Sequence, residues 1–340
     1  MLVLKAFHLS LDTIKSTTFT YRPRKTTAIK TNLFKAVRFV IAATSYSALA
    51  FSLNAKELPN AITANPTESA LPKYITPVDE AYTVGNTEKF TLSSNVVGRK
   101  YDILVKLPKG YFAQDNSKVN YPVLYLNDAP HTFKVATGVT HFPSMDKAII
   151  VAMGFAHGEN GQYSRVRDLT PHHDPSWVKY KTGGASEYLK LIAQEVIPFI
   201  EQRYRVDSSK RILSGHSLGG SFGSWVMLSK PELFSSYILT SPSHWFKDDQ
   251  IFADEAAYAK QHKTLRVNVF YATGSLETPE NGMKHMVTGQ QKYVERLQSR
   301  NYQGLSIKSE VVEGTDHFST FPVGLSKGLM WLYKDIWQLD

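Results

Sequence analysis

The sequence predicts an α/β protein: a mostly parallel sheet with helices on both faces, begun by an antiparallel pair. Three observations predict it. Tyr121-Pro-Val-Leu-Tyr-Leu126 and Ala148-Ile-Ile-Val-Ala-Met153 are short continuous apolar runs, the mark of strands buried on both faces. Such runs alternate with stretches of helical spacing, which calls for crossover connections. Ahead of them stand two segments that alternate apolar and polar residues, as antiparallel strands do.

In chain order, the alternating segments are Lys89-Phe-Thr-Leu-Ser93 and Lys100-Tyr-Asp-Ile-Leu-Val-Lys-Leu107, the second ended by Pro108-Lys-Gly110. The two buried runs follow. From Ala185 to Tyr204, apolar residues fall at Tyr188, Leu189, Ile192, Val196, Ile197, Ile200 and Tyr204, which predicts a helix. Arg211-Ile-Leu213 is the end of the next strand, and Ser221 to Leu228 the next helix. Tyr237–Thr240 and Val267–Ala272 predict two more buried strands, Met283 to Ser299 a helix and Ser306–Val312 a late strand. Leu325 to Ile336 reads as a closing amphipathic helix.

The folded body is expected over residues 81–340. Residues 56–80 hold four prolines and no clear period, as a linker does. Before them, residues 1–38 are basic and the fifteen residues Phe39–Leu53 carry no charge. A positive flank, a short apolar run and small residues after it describe a secretory leader over 1–55. Ala55 is the expected last residue of the leader, with Ala50 as the alternative. The apolar run is short for a membrane span, which needs about 20 residues. This predicts a secreted or periplasmic protein.

The charge supports the same division. The chain of 340 residues carries a net +9, but residues 1–55 hold eight Lys and Arg against the single acid Asp12. The leader therefore accounts for +7 and the rest of the chain for +2, which argues against a nucleic-acid partner for the folded body. The absence of cysteine excludes disulfides, thiolate catalysis and cysteine-ligated zinc.

Gly215-His216-Ser217-Leu218-Gly219 has the G-x-S-x-G form of a nucleophile elbow, set between a strand and a helix. A serine on so tight a turn needs glycine two residues before and after, where side chains are expected to collide. The following helix aims its N-terminal N–H groups at the point where an oxyanion forms. A serine nucleophile needs a base, and the base an orienting acid, in the chain order Ser, acid, His. That order leaves three histidines to weigh. His262 precedes every suitable acid loop and His285 falls in a predicted helix. His317 stands in a turn directly after the last strand and is the expected general base. The acid is expected in Thr273-Gly-Ser-Leu-Glu-Thr-Pro-Glu280, with Glu277 first and Glu280 second. Asp316 adjoins His317 in sequence, so the two side chains point apart.

One oxyanion donor is the Leu218 N–H. The other is expected after Tyr121–Leu126, in Asn127-Asp-Ala-Pro-His131. Pro130 has no N–H, which leaves Ala129 or His131.

From about residue 85 onward the chain resembles the Putative esterase family of α/β-hydrolases, which holds siderophore (enterochelin-type) esterases and esterase D-like enzymes. The resemblance rests on a set of motifs in order. They are Leu107-Pro-Lys-Gly-Tyr111, Tyr121-Pro-Val-Leu-Tyr-Leu-Asn-Asp128, Arg165-Val-Arg-Asp-Leu-Thr-Pro171 and Gly183-Gly184-Ala185. Gly215-His-Ser-Leu-Gly-Gly220, Ser241-Pro-Ser-His-Trp245 and the Gly274…Glu277 and His317 loops follow. It implies an α/β-hydrolase fold with about eight strands, and ester hydrolysis through an acyl-enzyme. It departs at Asn127-Asp-Ala-Pro130, where relatives usually carry Asp-Gly. It also implies a substrate-facing role for Arg167, for which ion pairing with Asp168 or Asp174 is the alternative.

Trp245, with Phe246, and His216 beside the serine are expected to wall the pocket, with packing as the alternative for the aromatic pair. Adjacent histidines point apart, so His172, His173 and Asp174 do not read as a metal site. No cofactor is expected, and the expected partner is a small-molecule ester. The other readings are acyl transfer by the same three residues and a catalytically weak siderophore- or glycan-binding member of the fold.

Overall fold

A computed structural model describes Ala81 and residues 83–339. The expected leader and linker lie outside the described residues.

Among the described residues, eight strands form one sheet. They are β1 (Thr87–Ser93), β2 (Lys100–Lys106), β3 (Tyr121–Leu126), β4 (Ile149–Ala156), β5 (Val206–His216), β6 (Ser236–Thr240), β7 (Asn268–Gly274) and β8 (Ser306–Val312). Their order is β1-β2-β4-β3-β5-β6-β7-β8. The β1–β2 and β2–β4 pairs are antiparallel and every other pair is parallel. The predicted antiparallel start and parallel body are both present.

The apolar runs serve two cores because side chains alternate across a strand. In β3, Tyr121, Val123 and Tyr125 enter one cluster, while Leu124 enters the other with Leu126. In β4, Ile149, Val151 and Met153 face the first cluster, and Ile150 and Ala152 the second. A strand so placed can carry no polar face, which is why these segments read as unbroken apolar runs.

Among the described residues, eight α-helices connect and cover the sheet. They are α1 (Ala129–Val139), α2 (Gly161–Leu169), α3 (Ala185–Leu191), α4 (Ile197–Arg203), α5 (Leu218–Ser229), α6 (Phe246–Gln261), α7 (Met286–Ser299) and α8 (Thr320–Trp331). The predicted helix from Ala185 to Tyr204 is present but not uniform, since α3 and α4 are joined by a π-turn at Ile192–Val196. Pro198, in the first turn of α4, cannot donate to a carbonyl in the preceding turn, and the Ile197 N–H reaches back to Ile192 O.

Helices α1, α2 and α6 were not among the predicted elements. Asp128 opens α1 in a left-handed conformation (φ 59°) and Pro130 follows, so its start has the composition of a loop. In α6, Lys247, Asp248 and Asp249 are left-handed, which breaks the helical pattern at its first turn.

This topology positions a site. Strand β3 is flanked by β4 on one side and β5 on the other, so the chain changes direction across the sheet there. The helices that follow β3 and β5 pack on opposite faces, α1 in the second core cluster and α5 in the first. A crevice opens beyond the carboxyl ends of two such strands.

Candidate active site

Ser217 sits at the end of β5 with φ 61° and ψ −120°, a backbone conformation that costs on the order of 1–3 kcal/mol. Its N–H donates to Thr240 O (3.0 Å), and its carbonyl accepts from Ser221 N–H and Ser243 N–H (both 3.1 Å). The turn is tight because the chain approaches itself at Gly215. A Cβ there would lie 2.2 Å from Gly219 O.

The matching expectation for Gly219 fails. A Cβ at Gly219 would meet nothing nearer than Asn127 Nδ2 at 3.8 Å, an ordinary contact. The second tight glycine is Gly220, whose Cβ would lie 3.0 Å from Thr240 O and from Pro242 Cα. The first intrahelical bond of α5 is that from Ser221 N–H, so the N–H groups of Leu218, Gly219 and Gly220 lie ahead of it at the serine.

Glu277 and His317 come together from loops 40 residues apart in sequence, with His317 Nδ1 2.6 Å from Glu277 Oε2. The other oxygen, Oε1, accepts from Ser241 Oγ (2.6 Å) and Gly274 N–H (2.8 Å). Glu277 is fully enclosed. Burial alone would raise its carboxyl pKa, but the bonds from His317, Ser241 and Gly274 outweigh it and hold the group below the ordinary glutamate value. Glu280 lies on an exposed turn at Pro279–Asn281. Asp316 is engaged in the turn ahead of the next helix, its Oδ1 accepting from the N–H groups of Phe318 (3.1 Å) and Ser319 (2.8 Å).

His317 and Ser217 line one cavity of about 320 Å³, together with Asp128, Arg165, His216, Phe318 and Phe321. His216 packs its ring on that of His317 (centroids 4.5 Å apart), and its Nδ1 lies 2.9 Å from Thr240 Oγ1. Burial, with the nearby His317, pushes the His216 pKa down to about 3. The His216 ring is therefore neutral at physiological pH.

At the other donor position, the His131 N–H is bonded to Asp128 O (2.9 Å). Pro130 has none. The Ala129 N–H is not committed within α1, and Ala129 itself is buried.

Two of the expected pocket residues do not line this cavity. The first, Arg167, binds Asp168 (Nε–Oδ1 2.8 Å) and pairs with Glu159. The cation at the cavity is Arg165, which grips Asp128 through two bonds of 3.0 and 3.1 Å. In a helix, residues two apart face different ways, and the orientation of α2 could not be read before the helix was recognised. Trp245 also lies away from the cavity. It stacks on Trp177 (6.2 Å, 18° between planes), and its Nε1–H donates to Met286 Sδ (3.2 Å).

Two serines were missed as site residues. Ser241 binds Glu277, and Ser243 Oγ lies 3.3 Å from Ser217 Oγ. Their signal was positional: Ser241-Pro-Ser243 follows directly on β6, at the carboxyl edge of the sheet where sites form. His172 is bound to Asp254 (Nε2–Oδ2 2.7 Å) and Asp174 to Ser176 (2.7 Å), so both are engaged in local structure.

The family model described as Putative esterase matches residues 94–332. Ferri-bacillibactin esterase BesA of Bacillus subtilis is 29% identical over 266 residues, which cover 73% of this chain and 90% of that protein. Siderophore enterobactin esterase of Emericella nidulans is 28% identical over 279 residues, covering 70% of this chain and 91% of the relative. The crystal structure of an IroE-like serine hydrolase from Shewanella oneidensis superposes with a TM-score of 0.65 at 26% identity, covering 73% of this chain and 80% of that one. The chain thus belongs to the Putative esterase family, with an α/β-hydrolase-type fold, and is a carboxylic ester hydrolase of the serine hydrolase type.

Proposed function

We propose that Ser217 is the nucleophile, His317 the general base and Glu277 the acid that orients it. The observation that carries this reading is the 2.6 Å His317–Glu277 pair, opening into the same cavity as a serine on a positive-φ turn. Ser217 Oγ attacks the ester carbonyl carbon as His317 Nε2 takes its proton. The tetrahedral oxyanion accepts hydrogen bonds from the Leu218 and Ala129 N–H groups. Its collapse breaks the ester bond, and the imidazolium returns the proton to the leaving alkoxide. Water then attacks the acyl-enzyme by the same route and releases the acid. Glu277 fixes the tautomer with the proton on Nδ1 and stays ionised throughout, as its lowered pKa favours.

The substrate class we propose is a siderophore-type ester. The support is that relatives named for ferri-bacillibactin and enterobactin ester hydrolysis match 70–73% of the chain. Arg165, paired with Asp128 at the cavity, gives the pocket a polar wall suited to a polar ester. The basic, then apolar, leader supports export with cleavage after Ala55. N-terminal sequencing of protein recovered from the periplasm tests this, and a mature chain that still begins at Met1 would contradict it.

Replacing Ser217 by Ala should lower kcat/KM for a p-nitrophenyl ester by on the order of 10⁴-fold or more. Wild-type turnover in that variant would refute the assignment.

A further inference from the structure

Helix α2 divides two cavities. Gln162 and Arg165 line the one that holds Ser217. Tyr163 and Arg167, four residues apart on another face of the helix, line a second cavity of about 510 Å³. Its size lies within the range of about 300–1,000 Å³ typical of small-molecule sites. No step of ester hydrolysis uses it.

The lining of this second cavity is chemically one-sided. Four cations meet there, Arg99, Arg167, Lys179 and Lys181, against the single carboxylate of Glu159. Glu159 is already shared between the two arginines, and Arg167 is also held by Asp168. Lys179 and Lys181 are exposed and have no carboxylate partner among the described residues. Between them in sequence, Tyr180 tilts its ring against that of Tyr163 (centroids 4.9 Å) and packs its edge on Trp177 (5.8 Å). Tyr163 remains 48% exposed, which is a large flat surface for a protein to leave uncovered.

Two uncompensated ammonium groups beside two tyrosine rings select for charge and shape together. The lysines attract an anion, and the rings offer a stacking face. From this we infer a second binding site, on the far side of α2 from Ser217, for a small planar aromatic anion. The inference does not depend on the catalytic roles proposed above.

Isothermal titration of the full chain with salicylate, sulfate and phenol separates the contributions. Salicylate should bind with one site per chain, more tightly than sulfate (charge without a ring) or phenol (a ring without charge at neutral pH). The same salicylate site should be present in the Ser217→Ala variant. Joint replacement Lys179→Glu with Lys181→Glu, on an exposed segment, should weaken salicylate by about tenfold or more. Tyr163→Ala should weaken salicylate while leaving any sulfate binding unaltered. The inference is overturned if salicylate shows no binding, if the charge reversal leaves it unchanged, or if sulfate binds as well as salicylate. Ester hydrolysis by the same preparation reports separately on the catalytic reading. Active protein without a salicylate site refutes only this inference, and a salicylate site on inactive protein refutes only the other.

Discussion

Glu277 shows how single residues decide this site. A carboxylate with no exposure would ordinarily be driven toward its neutral form, and a neutral acid could not hold an imidazole tautomer. Three donors, from His317, Ser241 and Gly274, reverse that tendency. Replacing Glu277 by Gln should therefore cost on the order of 10⁴-fold in kcat, whereas Glu280→Gln should change it little. Steady-state kinetics on a p-nitrophenyl ester distinguish the two, and the reverse pattern would move the acid to Glu280.

The glycines of the elbow permit an equally local prediction. Gly215→Ala places a Cβ 2.2 Å from a backbone oxygen and should abolish folding or activity, while Gly219→Ala has room and should keep both. Soluble yield and turnover of the pair check this. Ser217, Glu277 and His317 were legible in the sequence because each is tied to the end of a strand, and strands announce themselves. Arg165 and Trp245 were not. Which way they point depends on the placement of α2 and of the segment that opens α6, and neither has a clear apolar period.

Among elements, strands were easier to read than helices for a physical reason. A strand buried on both faces is apolar along most of its length, so β3, β4, β6 and β7 stood out. Helix α2 has few apolar residues to mark it, and its polar groups turn inward. Ser164, for example, donates toward Asp168 (3.2 Å) and accepts from Ala156 N–H (2.9 Å). Helix α8 approaches the sheet through glycine. A Cβ at Gly324 would lie 2.6 Å from Thr240 Cγ2 and 2.9 Å from Ala272 Cβ, and one at Gly328 would lie 2.7 Å from Ile238 Cγ2. Gly324→Ala should thus lower Tm despite its better helix propensity. Overpacking costs about 1–3 kcal/mol, against about 1 kcal/mol gained from the propensity. Since α8 begins at Thr320, whose hydroxyl lies 3.1 Å from Glu277, activity should fall as well. A raised Tm would show that the helix can move away from the sheet at no cost.

For the molecule as a whole, acid is the condition that should expose its weak point. Burial holds His216 and His244 down to about 3, against about 6.5 for an unfolded histidine. Between those values the unfolded chain binds protons at these two residues that the folded chain refuses. Stability should therefore be full above pH 6.5 and decline as the pH falls toward 3, by up to about 1.4 kcal/mol per histidine per pH unit. Urea unfolding at pH 7 and pH 5 measures the decline. His244→Asn, which removes one of the two groups, should make the decline shallower, and an unchanged decline would contradict the account.

The parallel sheet itself was readable from the alternation of runs and helices. The strand order, with β4 placed between β2 and β3, was not. It is set by which faces α1 and α5 can cover, and that is a property of the packed whole. The same reversal of direction at β3 opens the crevice where Ser217 meets His317, itself bonded to the enclosed Glu277.

That meeting is the central claim, and covalent labelling tests it most directly. The intact protein is treated with a fluorophosphonate, and its mass is measured before and after proteolysis. The account predicts a single adduct, carried on the peptide that contains Ser217 and absent from the Ser217→Ala variant. An adduct on another residue, or an active enzyme that takes up no label, would contradict it.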